Sequence, residues 1–474
     1  MSLQNCLICI VGALTVSSLG AASQDTRLLD AAKSPSRAQV DALLAEQVDP
    51  NVPQADGATA LHWAAYWNDE AMANSLISGG ALVNVVNDFG VTPLWLACLN
   101  GNSTMVKNLL DAGAEPNAAL PSGETLLMTA ARSGSAEAVR LLVAHGANLD
   151  AQEHSRSQTA LMWAVAQRHP EVVKTLVDLG ADIHIRSASR PRRIHTRTAG
   201  FNPSGVIDVI QGGFTPLLFA ARSGDIESAA YLVAEGADVN DTSFSGTSAL
   251  VIAAHSGHTR LAVFLLRQGA DANASDAGYS ALHTATLRGD QLLVKELLSQ
   301  GANPDSVIER GSPGRRNSPD YVLEHDVIGA TAYWLAAQWA EPEIMRNLAN
   351  HGTDTHMVMP DGTTPLIAAI RARRRSEPGL TSNQTENESL ILDAASVAIA
   401  EGADLNASDE TGNTALHIAA SRRLDAVIQL LVDNGADLDI ENDENQTPLT
   451  LANGPDSAEN STIELLRTLG EITH

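Results

Sequence analysis

The chain has 474 residues, a formal net charge of −26 and 44% hydrophobic residues, and only 4% of its residues are aromatic. That hydrophobic content excludes an intrinsically disordered chain. The excess of 56 acidic over 30 basic residues argues against a nucleic-acid partner, because phosphate binding requires a basic surface. Only four of the basic residues are Lys. This bias toward Arg is typical of a GC-rich genome, so we expect a bacterial source.

The N-terminal segment has the pattern of a secretory signal peptide. Residues 6–19 form an apolar run of about 14 residues, too short for a helix that crosses a bilayer core of about 30 Å. Small residues follow, so we predict a signal peptide at residues 1–22, cleaved after Ala22 or Ser23. We expect an exported protein, periplasmic or secreted, with no membrane insertion after cleavage. The first five residues contain no Lys or Arg, so a buried or interfacial helix is the alternative.

A repeated motif, Thr-x-Leu-x-x-Ala-Ala, occupies the rest of the chain and first occurs at residues 59–65. About 20 residues later comes Leu-Leu-x-x-Gly-Ala-x-x-Asn, as at residues 265–273. The first leucine position recurs every 32 to 34 residues, apart from three intervals of 50 to 56 that contain insertions. These positions are Leu28, Leu61, Leu94, Leu127, Leu161, Leu217, Leu250, Leu282, Tyr333, Leu366, Leu416 and Leu449.

This two-part motif resembles the ankyrin repeat, and the resemblance extends from about residue 26 to residue 469. It implies an all-α ankyrin-repeat solenoid of paired antiparallel helices with projecting β-turn or hairpin loops, with about twelve repeats including end caps. We expect the Thr or Ser hydroxyl to cap the first helix of each unit. The Gly of the Gly-Ala segment should end the second helix in a left-handed conformation. Stacked neighbours then supply the core that no single unit can form.

The insertions divide the predicted repeats into blocks. The first two should project beside the concave groove and overhang it, and the third should lie on the opposite edge. Their content of Pro, Gly, Ser, Thr and Asn predicts loops rather than new domains. The blocks are repeats 1–5 at 26–185, an Arg-rich loop at 186–212, repeats 6–8 at 213–304, a loop at 305–327, and repeats 9–12 at 328–474 with an insertion at about 372–390.

The insertions are unusually basic for so acidic a chain. Arginine presents a planar fork suited to carboxylates and phosphates, so these loops are candidate rims of a binding groove. The alternative is that Arg only keeps the loops soluble. The candidates are Arg190, Arg192, Arg193, Arg315 and Arg316, and the clusters also contain Arg186, Arg197, Arg310, Arg373, Arg374 and Arg375.

Candidate groove residues follow each Ala-Ala pair. In ankyrin proteins the two residues at this place look into the concave surface. Among these 24 positions none is Asp or Glu and six are Lys or Arg. Arg-Ser-Gly is also common ankyrin consensus here, so a purely structural explanation is the alternative. The candidates are Tyr66, Trp67, Arg132, Arg222, His255, Arg288 and Trp339.

The sequence shows no pattern of an enzyme. His62, His283 and His417 stand in the consensus slot for structural hydrogen bonds, and Cys98 replaces a small buried residue. No metal-binding, nucleophile or phosphate-loop motif is present. We therefore expect no catalytic residue, metal or cofactor. The prediction is a monomeric interaction scaffold that binds another protein through its groove and Arg-rich loops. The alternatives are an accessory or inhibitor subunit of a periplasmic enzyme, and a receptor for a small anionic ligand.

Overall fold

The computed structural model describes residues 25–197, 205–310, 312–313, 322–324, 326–372, 384–453 and 461–473. The predicted signal peptide and the candidates Arg315 and Arg316 lie outside these residues, as do Arg373, Arg374 and Arg375. The chain divides after Asn148 into two compact units. No helix within the described ranges is both long enough and apolar enough to span a membrane.

The N-terminal unit is built from helix pairs. Each first helix packs against its own second helix and against the first helix of the next pair, and the second helices pack likewise. The pairs are α1 (Arg27–Lys33) with α2 (Arg37–Ala45), α3 (Ala60–Trp67) with α4 (Glu70–Ser78), α5 (Pro93–Asn100) with α6 (Ser103–Asp111), and α7 (Leu126–Ser133) with α8 (Ala136–Ala144).

The C-terminal unit repeats this arrangement, so the predicted all-α solenoid of paired helices is confirmed in its architecture. Its helices are α9 (Ala160–Ala166), α10 (Pro170–Asp178), α11 (Pro216–Ser223), α12 (Ile226–Ala234), α13 (Ala249–Ser256), α14 (Thr259–Arg267), α15 (Ala281–Arg288), α16 (Gln291–Ser299), α17 (Ala332–Gln338), α18 (Pro342–Asn350), α19 (Pro365–Arg371), α20 (Gln384–Ala400), α21 (Ala415–Ser421), α22 (Asp425–Asp433), α23 (Pro448–Ala452) and α24 (Ser461–Thr473).

The motif residues act at the helix ends as predicted. The Thr92 hydroxyl accepts a hydrogen bond from the backbone N–H of Trp95 at 3.0 Å, and Pro93 occupies the first turn. Such a cap satisfies a donor that the helix itself leaves unpaired. At the other end of a repeat, after the second helix, Gly113 has φ +87° and Gly146 has φ +94°. This left-handed conformation ends the helix.

Asparagine side chains link neighbouring helix pairs through hydrogen bonds. The side chain of Asn84 donates to the carbonyl of Gly113 at 2.9 Å and accepts from the N–H of Glu115 at 2.8 Å. Asn117 makes the same two bonds to Gly146 and Asn148. The Asn of the Gly-Ala-x-x-Asn motif therefore holds the turn of the following repeat, which explains why the motif ends on this residue.

The described parts of the first two insertions contain strands that pair into one sheet, whereas the sequence predicted only loops there. Strand β1 (Arg190–Arg197) pairs antiparallel with β2 (Gly205–Gln211). In the second insertion, β3 (Ser312–Pro313) pairs antiparallel with β4 (Val322–Glu324). Strands β1 and β4 run parallel, so the sheet order is β2-β1-β4-β3.

The sequence of β2 itself favours a strand. Residues 205–211 read Gly-Val-Ile-Asp-Val-Ile-Gln, and β-branched residues favour strands. The pairing of β1 with β4 joins His195 to Val322, which lie in different insertions. No local pattern predicts that partnership, because the intervening repeats bring the two insertions together.

The third insertion is shorter than predicted. Helix α20 begins at Gln384, so residues 384–390 belong to the second helix of the pair and not to a loop. Residues 385–392 contain neither Gly nor Pro, so nothing in them opposes helix formation.

Candidate binding surface

Three aromatic side chains cluster on helix α3 of the N-terminal unit. The ring centroids of Trp63 and Tyr66 are 5.7 Å apart in an edge-on arrangement, and those of Tyr66 and Trp67 are 4.8 Å apart, also edge-on. The rings of Trp63 and Trp67 stack at 6.3 Å with an interplanar angle of 28°. Residues three and four apart share one face of a helix, so the three rings form one continuous aromatic surface.

The cluster is held by the turn that precedes its helix. We call such a turn, which projects between helix pairs, a finger. The indole N–H of Trp63 donates to Oε1 of Gln54 at 3.2 Å, and Gln54 in turn donates to Asp56 at 2.7 Å. The next finger is tied to this one, since the N–H of Asp88 donates to the carbonyl of Asp56 at 2.8 Å. The aromatic surface is therefore pre-ordered by its own unit.

Trp67 leaves 45% of its surface exposed, while Trp63 and Tyr66 are half-buried. The same unit also exposes Val86 and Phe89. Phe89 lies on the next finger, residues 87–91, and Val86 directly precedes that finger. Exposed aromatic groups on a rigid helix are typical of interface hot spots. The sequence analysis selected Tyr66 and Trp67 but missed Trp63. Its spacing of three and four residues from the other two was the available signal.

Arg132, the other candidate in this unit, already has an acidic partner. Its guanidinium contacts Oε1 of Glu124 at 3.0 Å, and the two side chains are only 26% and 13% exposed. Glu124 also accepts the hydroxyl hydrogen of Thr129 at 2.9 Å. The positive charge of Arg132 is therefore balanced within the unit before any partner arrives.

In the C-terminal unit, the groove candidates lie near the ends of the first helices, and two of them are linked through a backbone carbonyl. The guanidinium of Arg288 donates to the carbonyl of His255 at 3.0 Å. The carbonyl of Arg222 accepts from Nε2 of His258 at 3.1 Å, and the Arg222 side chain is exposed. Trp339 follows the last residue of α17 and is half-buried. These residues lie at, or directly after, the C-terminal ends of successive first helices, so they occupy equivalent positions within this unit.

The arginines of the first insertion fall into two groups. Arg186, at the base, donates to the carbonyls of Gly213 and Thr242 at 2.8 and 2.7 Å and forms an ion pair with Asp241. It ties the hairpin to the neighbouring finger and is structural.

The candidates Arg190, Arg192 and Arg193 lie on strand β1. Arg190 and Arg193 are exposed, and Arg192 donates to Oε1 of Gln211 at 2.8 Å. Arg193 contacts Asp208 at 3.4 Å. The sheet therefore presents these arginines on a strand whose backbone is held by its pairing with β2.

The buried histidines are structural, as predicted. Nδ1 of His283 accepts from the N–H of Ser280 at 3.0 Å and Nε2–H donates to the carbonyl of Ser306 at 2.8 Å. Burial lowers the pKa of His283 to about 4, and the pKa values of His62 and His417 are also lowered by burial. These contacts require the neutral ring, because Nδ1 acts as an acceptor.

Cys98 is buried in the N-terminal unit. Burial raises the pKa of the Cys98 thiol, so this cysteine is a small buried apolar residue and not an activated nucleophile. Across the ranges that the structure describes, no group of three or more His, Cys, Asp or Glu side chains is arranged to hold a metal ion.

A family model described as ankyrin repeats in three copies matches residues 28–120, 113–187 and 217–308. A second model, described as ankyrin repeats in many copies, matches residues 399–452. Together these matches cover more than half of the chain. The chain is an ankyrin-repeat protein. Ankyrin repeats generally mediate protein–protein interaction, and ankyrin-repeat proteins are typically non-enzymatic interaction scaffolds.

Two curated relatives of this ankyrin-repeat protein each match about a quarter of it. Human neurogenic locus notch homolog protein 1 is 33% identical over 146 residues, which are 27% of this chain and 6% of the relative. The mouse B-cell lymphoma 3 protein homolog is 32% identical over 125 residues, 26% of this chain and 24% of the relative. The crystal structure of the human ASB11 ankyrin repeat domain is 26% identical with a TM-score of 0.42, and covers 52% of this chain and 98% of that one. The chain thus spans a small part of the curated relatives that it matches.

Proposed function

We propose that this ankyrin-repeat protein is a non-enzymatic scaffold of the exported compartment that binds another protein through the aromatic surface of its N-terminal unit. The observation that carries the proposal is the exposure of Trp67, 45%, within a stack that Trp63 and Tyr66 hold in place. A pre-ordered surface loses little conformational entropy when a partner docks. Most of the binding free energy should come from the three rings.

The charges of the groove favour a protein partner over a small anion. A receptor for an anion needs guanidinium groups directed at the ligand. Here Arg132 pairs with Glu124, Arg371 pairs with Asp409, and Arg288 donates to a carbonyl. Such arginines contribute shape and stacking area while their charge is already balanced, which suits a broad protein interface.

The proposal includes export, about twelve repeats with end caps, and a monomeric state. The apolar run at residues 6–19 and the small residues after it support export. Recovery of the protein from the exported fraction, followed by N-terminal sequencing, tests it. The mature chain should begin at Ser23 or Gln24. A chain that retains residues 1–22 in the cytosolic fraction would overturn the exported part of the proposal.

The binding surface is tested by affinity capture from the exported fraction with the full chain. Wild type is compared with Tyr66→Ala/Trp67→Ala and with the control Leu82→Ala, which changes an apolar side chain of the same unit that is 60% exposed. The far-ultraviolet circular dichroism of all three should agree. A protein retained by wild type and by the control, but lost from the aromatic variant, supports the proposal.

The retained protein is then purified and its affinity measured. We expect at least about 100-fold weaker binding by the aromatic variant, as for loss of hot-spot aromatics. Equal recovery of every protein by all three chains would show that the aromatic surface is not the binding site. Where the captured protein is an enzyme, its rate with and without this chain separates a scaffold from an accessory or inhibitor subunit.

A further inference from the structure

The two edge strands of the sheet differ in length. In the order β2-β1-β4-β3, strand β1 pairs with β2 along residues 190–196 and with β4 at residues 195–197, within the described residues. The edge strand β3 has two residues, one of them Pro313. The opposite edge, β2, has seven residues. An unpaired edge presents backbone N–H and C=O groups that can pair with another strand.

Strand β2 lacks the features that usually prevent such pairing. Proteins protect sheet edges by short length, proline, or charged side chains, especially lysine. The sequence of β2 contains four Val or Ile residues and no Pro, Lys or Arg, and its one charge is Asp208. Ile210 is 56% exposed, so this strand presents a large aliphatic side chain to solvent. One edge of the sheet is thus protected and the other is open.

The charge beside this edge is opposite to that of the whole chain. Strand β1 contains four arginines, and β2 contains one aspartate, whereas the chain has a net charge of −26. The contact of Arg193 with Asp208 joins side chains that are 76% and 68% exposed, so solvent screens it and it stabilises the pair little. Arg190 is also exposed. An acidic segment would be attracted to this sheet and repelled by most of the remaining surface.

We propose that β2 is a docking edge that takes an extended acidic segment of a partner protein as a fifth strand. Backbone hydrogen bonds to β2 would supply part of the affinity, and the arginines of β1 would select acidic side chains. A second copy of this chain fits less well. In a symmetric antiparallel pair of full overlap, the central residue Asp208 would lie opposite its own copy, and like charges directly opposite are destabilising. This surface is separate from the aromatic surface of the N-terminal unit and does not depend on it.

The probes are three pools of nine-residue peptides, tested by fluorescence anisotropy on the full chain. The first pool alternates Val, Ile or Thr with Glu. The second has Lys in place of Glu. The third is the Glu pool with two adjacent central prolines, which prevent the peptide from joining a sheet in either orientation. We expect the Glu pool to bind at least about tenfold more tightly than each of the others.

The matched variants are Ile210→Glu on the edge and Leu292→Glu on helix α16. Both replace exposed aliphatic residues, 56% and 64% exposed, and both change the net charge equally. Binding of the Glu pool should weaken at least about tenfold in Ile210→Glu and stay unchanged in Leu292→Glu. In Asp208→Asn it should strengthen about twofold, because a repulsive carboxylate is removed. The Tyr66→Ala/Trp67→Ala chain should bind this pool like wild type, whether or not the aromatic surface has its proposed role.

Three results would overturn the proposal. Equal binding of the proline pool would mean that charge alone attracts the peptide. Unchanged binding by Ile210→Glu would exclude β2 as the site. A wild-type dimer in light scattering that Ile210→Glu dissociates would assign the edge to a second copy of the chain.

Discussion

The aromatic surface on α3 and the sheet of the two insertions are built in opposite ways. The first places three rings within five consecutive residues of one helix. The second joins His195 of one insertion to Val322 of another. Aromatic stacking on the helix depends on local spacing and on one contact with the preceding turn, whereas the sheet depends on the repeats that bring its strands together. Two candidate recognition surfaces of one chain thus differ in chemistry, apolar against cationic, and in what holds them.

This difference implies that the two surfaces respond to different changes. Removing a ring changes contact area and leaves the backbone of α3 intact. Removing a contact at the base of the hairpin changes the position of a whole strand.

The largest effect is expected from Trp67→Ala in the N-terminal unit. It removes the most exposed ring of the stack and should weaken binding of the captured partner by about 10- to 100-fold. Surface truncation should change the free energy of unfolding by less than about 1 kcal/mol. Isothermal titration against the purified partner measures the affinity, and urea denaturation measures the free energy of unfolding. Wild-type affinity in Trp67→Ala would remove this residue from the interface.

A smaller effect, on stability, is expected at the base of the hairpin. Arg186→Met keeps most of the side-chain length but removes the bonds to the carbonyls of Gly213 and Thr242 and the ion pair with Asp241. Asp241 is only 14% exposed, so its carboxylate loses a charged partner at a cost of about 2 kcal/mol.

Amide hydrogen exchange at Ser187 and Gly213, which pair across this base, should quicken in Arg186→Met. The control Arg190→Met changes an exposed arginine and should leave that exchange unaltered. Equal exchange rates in the two variants would show that Arg186 does not anchor the hairpin.

A comparable effect is expected from His283, but only at acid pH. Burial places its pKa near 4 in the folded chain, against about 6.5 when unfolded. The unfolded chain therefore binds the proton first as the pH falls, so stability decreases from about pH 6.5 down to about pH 4. At pH 5 the loss is about 2 kcal/mol relative to pH 7.

The variant His283→Met tests whether His283 causes this loss of stability at acid pH. Met128 occupies the equivalent position in α7, where it forms the N-terminal capping box together with Thr125. A methionine therefore fits this position. Urea denaturation at pH 7 and pH 5 should show a smaller difference for His283→Met than for wild type. The same difference in both chains would assign the acid sensitivity to other groups.

The smallest effect is expected from Arg132→Met. Because its guanidinium is already paired with Glu124 at 3.0 Å, its loss should weaken partner binding by less than about threefold, while stability falls by about 1 kcal/mol. A loss of binding as large as that of Trp67→Ala would mean that the ion pair opens when the partner docks. That result would extend the interface from α3 to α7.

Much of the fold followed from local patterns. The Thr cap at Thr92 and the left-handed Gly113 each depend on a few neighbouring residues, and both are present in the structure. His283 makes the structural hydrogen bonds that its place in the motif predicted. The candidate site was predicted less completely. Trp63 was missed because its contacts with Gln54 and Trp67 involve a finger and a stack that consensus reading does not show. The start of α20 was missed because polar residues mask a helix that tertiary packing stabilises.

Local patterns of residues specify the repeat, its helix ends and the aromatic residues available for binding, because these features depend on spacing within one helical turn or one motif. Tertiary structure decided which arginines are already paired, as Arg132 is with Glu124 and Arg186 with Asp241. It also decided that two separate insertions form one sheet with β2 at its edge. Strand partnership depends on backbone groups brought together by the intervening repeats, and backbone groups are the same in every residue except proline.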